Sequence, residues 1–207
     1  MSAEPYLPKR KTLNTLKRAV QDCKGCSLWQ HATQAVLGEG TTKAQLMFVG
    51  EQPGDQEDQQ GRPFVGPAGR LLDKALEEAG IDRQAVYVTN AVKHFKFTPQ
   101  GKRRIHKKPN AGEIAACKPW LEAELESAQP RMLICLGATA AQALLGRSFR
   151  VTRDRGRLID SPLAPMVLAT IHPSAILRAA DDESRQVEMK RFVEHLQVAA
   201  DALAQSS

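Results

Sequence analysis

Nothing in the 207-residue sequence approaches the roughly 20 consecutive apolar residues that a membrane-spanning helix needs. The opening stretch, MSAEPYLPKRKTLNTLKRAV, holds no apolar segment of signal-peptide length. A cytoplasmic protein without a membrane partner is the expectation. Internal repeats, low-complexity tracts and an obvious interdomain linker are missing too, so one domain over 1–207 is expected. The phosphate-cradling pattern GxxxxGK[ST] and the dinucleotide pattern GxGxxG are both absent, which argues against a P-loop or a dinucleotide site.

Cysteine is scarce, with four residues in all: Cys23, Cys26, Cys117 and Cys135. The first two form a C-x2-C pair within the N-terminal segment 1–43. Persistent disulfides are rare in the cytoplasm. No strand precedes the pair, as thioredoxin-like chemistry would want. An even set with one tight pair favours a metal site, and thiolates at these spacings suit zinc or an iron–sulfur cluster. Scattered buried cysteines are the plainer alternative.

What is present is a regular alternation. AQLMFVG (44–50), VYVTNAV (86–92), RMLICLG (131–137) and PMVLATI (165–171) read as buried strands. Helices are expected over 11–22, 68–80, 112–127, 138–145, 172–179 and 183–203. The segments 51–67 and 93–111 read as long loops, and 149–164 as a hairpin or loop excursion. This pattern predicts an α/β fold, a single-domain three-layer α/β/α sandwich with a mostly parallel sheet. In such folds ligands bind beyond the carboxyl ends of the strands. The chemistry-bearing segments, 50–66, 90–108, 137–138 and 172–174, all lie there.

GEQPGDQED (50–58) combines glycine and proline, which let backbone amides approach a ligand, with Glu51, Asp55, Glu57 and Asp58. In GRPFVGPAG (61–69), Phe64 sits between Gly/Pro corners, placed to stack on an extruded base or to plug the core. Asn90 ends a strand, and its amide offers one acceptor and two donors, matching the O4/N3–H edge of uracil or thymine. The 93–108 segment carries Lys93, Lys96, Lys102, Arg103, Arg104, Lys107 and Lys108 and no acid. With a net charge of +6, it reads as a phosphate-backbone contact. His106 within it is a candidate nucleophile, general base or phosphate contact. His172 in IHPSA (171–175) is placed to donate to negative charge on a leaving group, with Ser174 at a helix start.

Taken together, GEQPGDQED, GRPFVGPAG, the Asn90-Ala-Val-Lys motif, CLGATAAQALLG (135–146) and HPSA resemble the iron–sulfur uracil-DNA glycosylases of the family 4 type. The long basic KRRIHK loop and the GEQPGDQED form resemble the UdgX subfamily within it. The resemblance implies the uracil-DNA glycosylase fold and a [4Fe–4S] cluster on Cys23, Cys26, Cys117 and Cys135. It implies uracil binding by Gln52, Gly54, Asp55, Phe64 and Asn90, and catalysis by His106, Glu51 and His172. Lys102, Arg103, Arg104, Lys107 and Ser174 would contact DNA. The implied reaction cleaves the N-glycosidic bond of deoxyuridine in DNA, single strands preferred, by a monomer. Free uracil is released, and the DNA stays attached through His106. A conventional turnover glycosylase is the alternative. A non-enzymatic nucleic-acid-binding module and a cysteine redox protein are further readings.

Overall fold

The computed structural model describes residues 1–205. Hydrophobic segments pair into one six-stranded sheet, with helices covering both faces. In chain order the elements are α1 (Leu13–Ala19), β1 (Glu39–Gly40), β2 (Leu46–Gly50), α2 (Asp55–Gln60), α3 (Pro67–Glu78), β3 (Val86–Asn90), β4 (Phe97–Gln100), β5 (Arg103–His106), α4 (Ala111–Ala128), β6 (Met132–Leu136), α5 (Gly137–Leu145), α6 (Val151–Asp154), β7 (Leu158–Ile159), β8 (Met166–Thr170), α7 (Pro173–Leu177) and α8 (Asp182–Gln205). The sheet order is β1-β3-β2-β6-β8-β7. The central four strands run parallel, and the short edge strands β1 and β7 are antiparallel.

Strand alternation sends side chains to two cores. Met47, Val49, Leu133 and Cys135 pack on one face with Trp120 of α4. Phe48, Val88, Ile134 and Leu168 pack on the other with Leu72 and Leu76 of α3 and Phe192 of α8. Both faces are buried, which is why these strands read as continuous apolar runs. From β2 the chain passes first to β3 on one side and later to β6 on the other. The carboxyl end of β2 is therefore a topological switch point, where the following segments diverge and leave a crevice.

Three segments differ from expectation. The stretch 51–67 contains the helix α2. Its glycines and prolines flank residues 55–60 without entering them, and Gly61 closes the helix with φ 69°. Asp55, Glu57 and Asp58 fill the first turn, where carboxylates oppose the helix dipole. The supposed loop 93–111 contains the hairpin β4–β5, joined through Gly101 (φ 58°) and Lys102. Pro99 argues against a strand in sequence, but this two-stranded sheet has no inner strand, and edge strands tolerate proline. The 149–164 excursion adds the short helix α6 to a hairpin, in which the edge strand β7 turns back antiparallel on β8.

Candidate active site

Four strand ends converge. Gly50 closes β2, Asn90 closes β3, Gly137 follows β6 and His172 follows β8. The β2–β3 ladder continues past its end, since Ala91 N–H donates to Gly50 O and Val92 N–H donates to Glu51 O. That extension fixes Asn90 beside Gly50. A Cβ added at Gly50 would lie 2.4 Å from Asn90 Oδ1, 2.8 Å from Phe64 Cζ and 3.3 Å from His172 Nε2. Three side chains predicted from sequence thus meet around a position that only glycine can hold. They line a cavity of about 410 Å³ together with Gln52, Gly54, Asp55 and His106.

Phe64 is both a buried core residue and a pocket wall. It is 6% exposed, and its ring stacks on His172 with centroids 6.1 Å apart. Its backbone is left-handed at φ 56°, a strained setting for an aromatic residue. Gly69 in the first turn of α3 makes this conformation packable, because a Cβ there would come within 1.7 Å of Phe64 O. Glu57 ties the same loop to α2 by accepting Gly66 N–H at 2.8 Å.

His172 has a defined tautomer. Its Nδ1 accepts the Ser174 backbone N–H at 3.1 Å and lies 2.8 Å from Ser174 Oγ. A neutral ring therefore carries its proton on Nε2, the atom nearest Gly50. Burial, with help from Arg178 and His106, pushes the His172 pKa down to about 4, so the ring is a neutral donor at pH 7. Ser174, expected on the DNA surface, is half-buried and orients this histidine.

His106 ends the hairpin opposite Phe97, and its ring packs against Phe95 with centroids 6.1 Å apart. Its side chain is 51% exposed, so it faces the mouth of the cavity. Burial of the rest of the ring lowers its pKa and outweighs the opposing pull of Glu51; Arg178 lowers it further. Glu51 Oε1 stands 3.4 Å from His106 Nε2, while Oε2 accepts a hydrogen bond from Thr139 Oγ1 of α5.

The basic segment divides in two. Lys93 is fully buried and ion-paired with Glu124, whose carboxylate also accepts from Tyr87, Thr89 and Gly38 N–H. Lys96 pairs with Glu113 at 2.9 Å. Arg104 is engaged within the protein. It bonds Asp55 and reaches Asp58 at 2.6 Å, and its guanidinium lies over Phe95 and Phe97. Lys102, Arg103, Lys107 and Lys108 remain exposed. Gln52 lines the cavity but also clamps the hairpin, with its amide donating to Lys96 O and Lys107 O and its Oε1 accepting from Lys96 N–H. Sequence reasoning does not single out Arg178 or Thr139, and it reads Asp58 as a loop carboxylate rather than as the anchor of Arg104. Thr139 lies just past the strand end at 137–138, which was the nearest signal.

The four cysteines do not form the expected cluster site. Among the described residues no group of three or more His, Cys, Asp or Glu side chains is disposed to hold a metal ion. All four thiols are free and buried. Cys23 Sγ accepts from Trp120 Nε1 at 3.1 Å, and Cys117 Sγ accepts from Lys93 N–H at 3.2 Å. Burial raises the Cys26 pKa and pushes Cys117 and Cys135 up to about 12, so these are neutral thiols in an apolar core. Burial dominates at Cys117, with Lys93 and its N–H opposing it, whereas burial alone acts on Cys135, deep in β6 between Val49 and Ala169. The [4Fe–4S] assignment to Cys23, Cys26, Cys117 and Cys135 is corrected accordingly, and with it the placement in an iron–sulfur UdgX subfamily. Spacing counts thiols, but it does not show whether their sulfur atoms converge.

A pocket walled by one aromatic ring and edged by an amide and a neutral imidazole, with the Gly50 backbone packed close behind them, has the shape for a flat, polar heterocycle. A basic surface beside it suits a phosphate-bearing carrier for that ring. This combination is a strand-end pocket of an α/β protein beside a basic surface. The chain belongs to the uracil DNA glycosylase superfamily, whose family model matches residues 37–197. It is 37% identical over 183 residues to a type-4 uracil-DNA glycosylase of Thermotoga maritima, covering 88% of this chain and 92% of that protein. A type-4 uracil-DNA glycosylase of Sulfurisphaera tokodaii is 38% identical over 174 residues, covering 80% and 76%. A type-5 uracil-DNA glycosylase of Pyrobaculum aerophilum is 28% identical over 181 residues, covering 79% and 76%. Among the described residues, no helix is long and apolar enough to cross a membrane.

Proposed function

We propose that this protein excises uracil from DNA and then captures the resulting sugar carbon on His106, remaining covalently attached. The observation that carries the reading is the position of His106 at the mouth of the base pocket, its ring neutral and a carboxylate 3.4 Å away. An extruded uracil would lie against Phe64, with Asn90 reading its O4/N3–H edge. The exposed Lys102, Arg103 and Lys107 would hold backbone phosphates. Single-stranded DNA is the preferred substrate, because extrusion then disrupts no base pair. Every group named belongs to one chain, so a monomer suffices.

Cleavage of the C1′–N1 bond leaves its electron pair on uracil. His172 Nε2–H donates to the developing oxyanion, a role that needs a neutral ring with that tautomer. The carboxylate of Glu51 favours the cationic sugar. An imidazole nitrogen of His106 then forms the new bond to C1′, and the ring loses its remaining N–H proton to Glu51 or solvent. A prepositioned nucleophile competes with water through its high effective concentration. The neutral N-alkyl imidazole has no easy onward reaction.

The test mixes the protein with uracil-containing single-stranded DNA and follows intact mass in denaturant. The expected product is an adduct at the mass of protein plus DNA less uracil, absent in His106→Ser. Many abasic products per protein molecule without an adduct would overturn capture and leave conventional turnover. Equal binding of uracil- and thymine-containing DNA without base release would overturn the glycosylase reading itself.

A further inference from the structure

A second cavity, also about 410 Å³, lies beside the active site between α4 and α5. It opens where the hairpin runs into α4, at Lys108 and Pro109. One wall is Ile114, Ala115 and Lys118 of α4, and the other is Thr139 and Ala143 of α5 with Arg147 beyond its end. The floor is apolar and three cations stand around the rim. From Thr139 to Leu145, the last residue of α5, is about 9 Å at the helical rise of roughly 1.5 Å per residue, and Arg147 lies two residues further on.

Two relationships tie this groove to the chemistry. Thr139, at one end, donates to Glu51, which faces His106. Lys108, at the same end, is two residues past His106 on the same backbone. The groove therefore begins where a captured sugar would sit and leads away from it. Its cations are available. Among the described residues, Arg147 and Lys108 side chains have no hydrogen bond or ion pair with the protein. Lys118 has only Glu122, one turn away at 3.1 Å with both side chains about half exposed, a pairing that binds weakly.

Resting on the uracil-DNA reading, we infer that the groove between α4 and α5 binds the single-stranded DNA flank on one side of the extruded nucleotide. Lys108, Lys118 and Arg147 meet successive phosphates, and the apolar floor of Ile114, Ala115 and Ala143 receives sugar and base faces. Charge complementarity and continuity with the pocket choose this occupant. An acidic protein segment would satisfy the cations but has no reason to start at the reacting carbon.

The test compares wild type with Lys118→Ala/Arg147→Ala on three uracil-containing single strands: uracil centred, 5′ flank trimmed to one nucleotide, and 3′ flank trimmed likewise. Fluorescence anisotropy reads binding, and single-turnover uracil release reads chemistry. The variant should bind the centred strand about tenfold more weakly. Its log–log salt slope should fall by about 1.4, at roughly 0.7 for each of two phosphate contacts on a single strand. The saturated release rate should match wild type. The defect should vanish for one trimmed strand and persist for the other, and the strand that is immune identifies the flank. Equal weakening of all three strands, or wild-type binding throughout, would overturn the groove. If wild type releases no uracil from any strand, the glycosylase reading falls separately, and anisotropy still decides whether the groove takes DNA.

Discussion

Glu51 spans the gap between the two parts of the site: one carboxylate oxygen stands 3.4 Å from His106 Nε2 on the hairpin, and the other is held by Thr139 on α5. The carboxylate is thereby kept from rotating away, and the histidine faces an oriented proton acceptor. Glu51→Gln keeps the shape and removes the charge. Adduct formation, followed by quenched single-turnover sampling, should slow by about 10²-fold or more, in the range that positioned acid–base groups contribute. A rate within twofold of wild type would remove Glu51 from the chemistry.

Arg104 pins the hairpin by binding Asp55 and Asp58 of α2 while lying over Phe95 and Phe97. In Arg104→Met the stem still packs on the rings, but both carboxylate anchors are lost. Adduct yield should fall while uracil release continues, and amides of 97–106 should exchange hydrogen faster. Unchanged exchange in that segment would show that the Gln52 clamp is sufficient alone.

The segment 51–67 illustrates what was legible in the sequence and what was not. Four buried strands and the helices between them were readable, because apolar runs of that length have few other uses in an alternating chain. Pocket residues at strand ends were readable for the same reason: Asn90 and His172 follow directly from where β3 and β8 stop. The helix α2 and the hairpin were not, since their identity rests on tertiary anchors such as Arg104–Asp58 and Gln52–Lys96. Lys93 could not be told from its exposed neighbours, because its partner Glu124 lies 31 residues away. The cysteines misled because each reads as a ligand by spacing, while Trp120 and the Lys93 amide in fact engage two of the sulfurs.

The Lys93–Glu124 pair has 0% side-chain exposure on both sides, and Lys93 Nζ also donates to Asn90 O at 2.5 Å. Glu124→Leu leaves the buried ammonium without its counter-charge and the Tyr87 and Thr89 hydroxyls without their acceptor. Denaturant unfolding should record a loss of about 3–5 kcal/mol, as for other broken buried pairs. Lys93→Met combined with Glu124→Leu should recover part of it. A loss under about 1 kcal/mol in the single variant would mean that water reaches the lysine.

His94 and His172 are both held down to about 4 by burial, against an ordinary value of 6.5. Between those values the unfolded chain binds more protons than the folded one. Their contribution to stability is therefore complete above pH 6.5, declines as pH falls and is gone below about 4. Denaturation midpoints taken across that window should drop steadily, and His94→Gln should flatten the dependence. A midpoint that stays constant down to about pH 4 would contradict the buried neutral state of both rings.

Behind the pocket wall lies an absence, the hydrogen that Gly50 carries where any other residue would push into Asn90, Phe64 and His172. Those three side chains therefore pack directly on main chain, set by the ladder between β2 and β3 rather than by a rotatable side chain. Such a backing has no rotamers to sample. The position of the three pocket side chains is as reproducible as the sheet itself, and that wall inherits the stiffness of the protein's most buried strands.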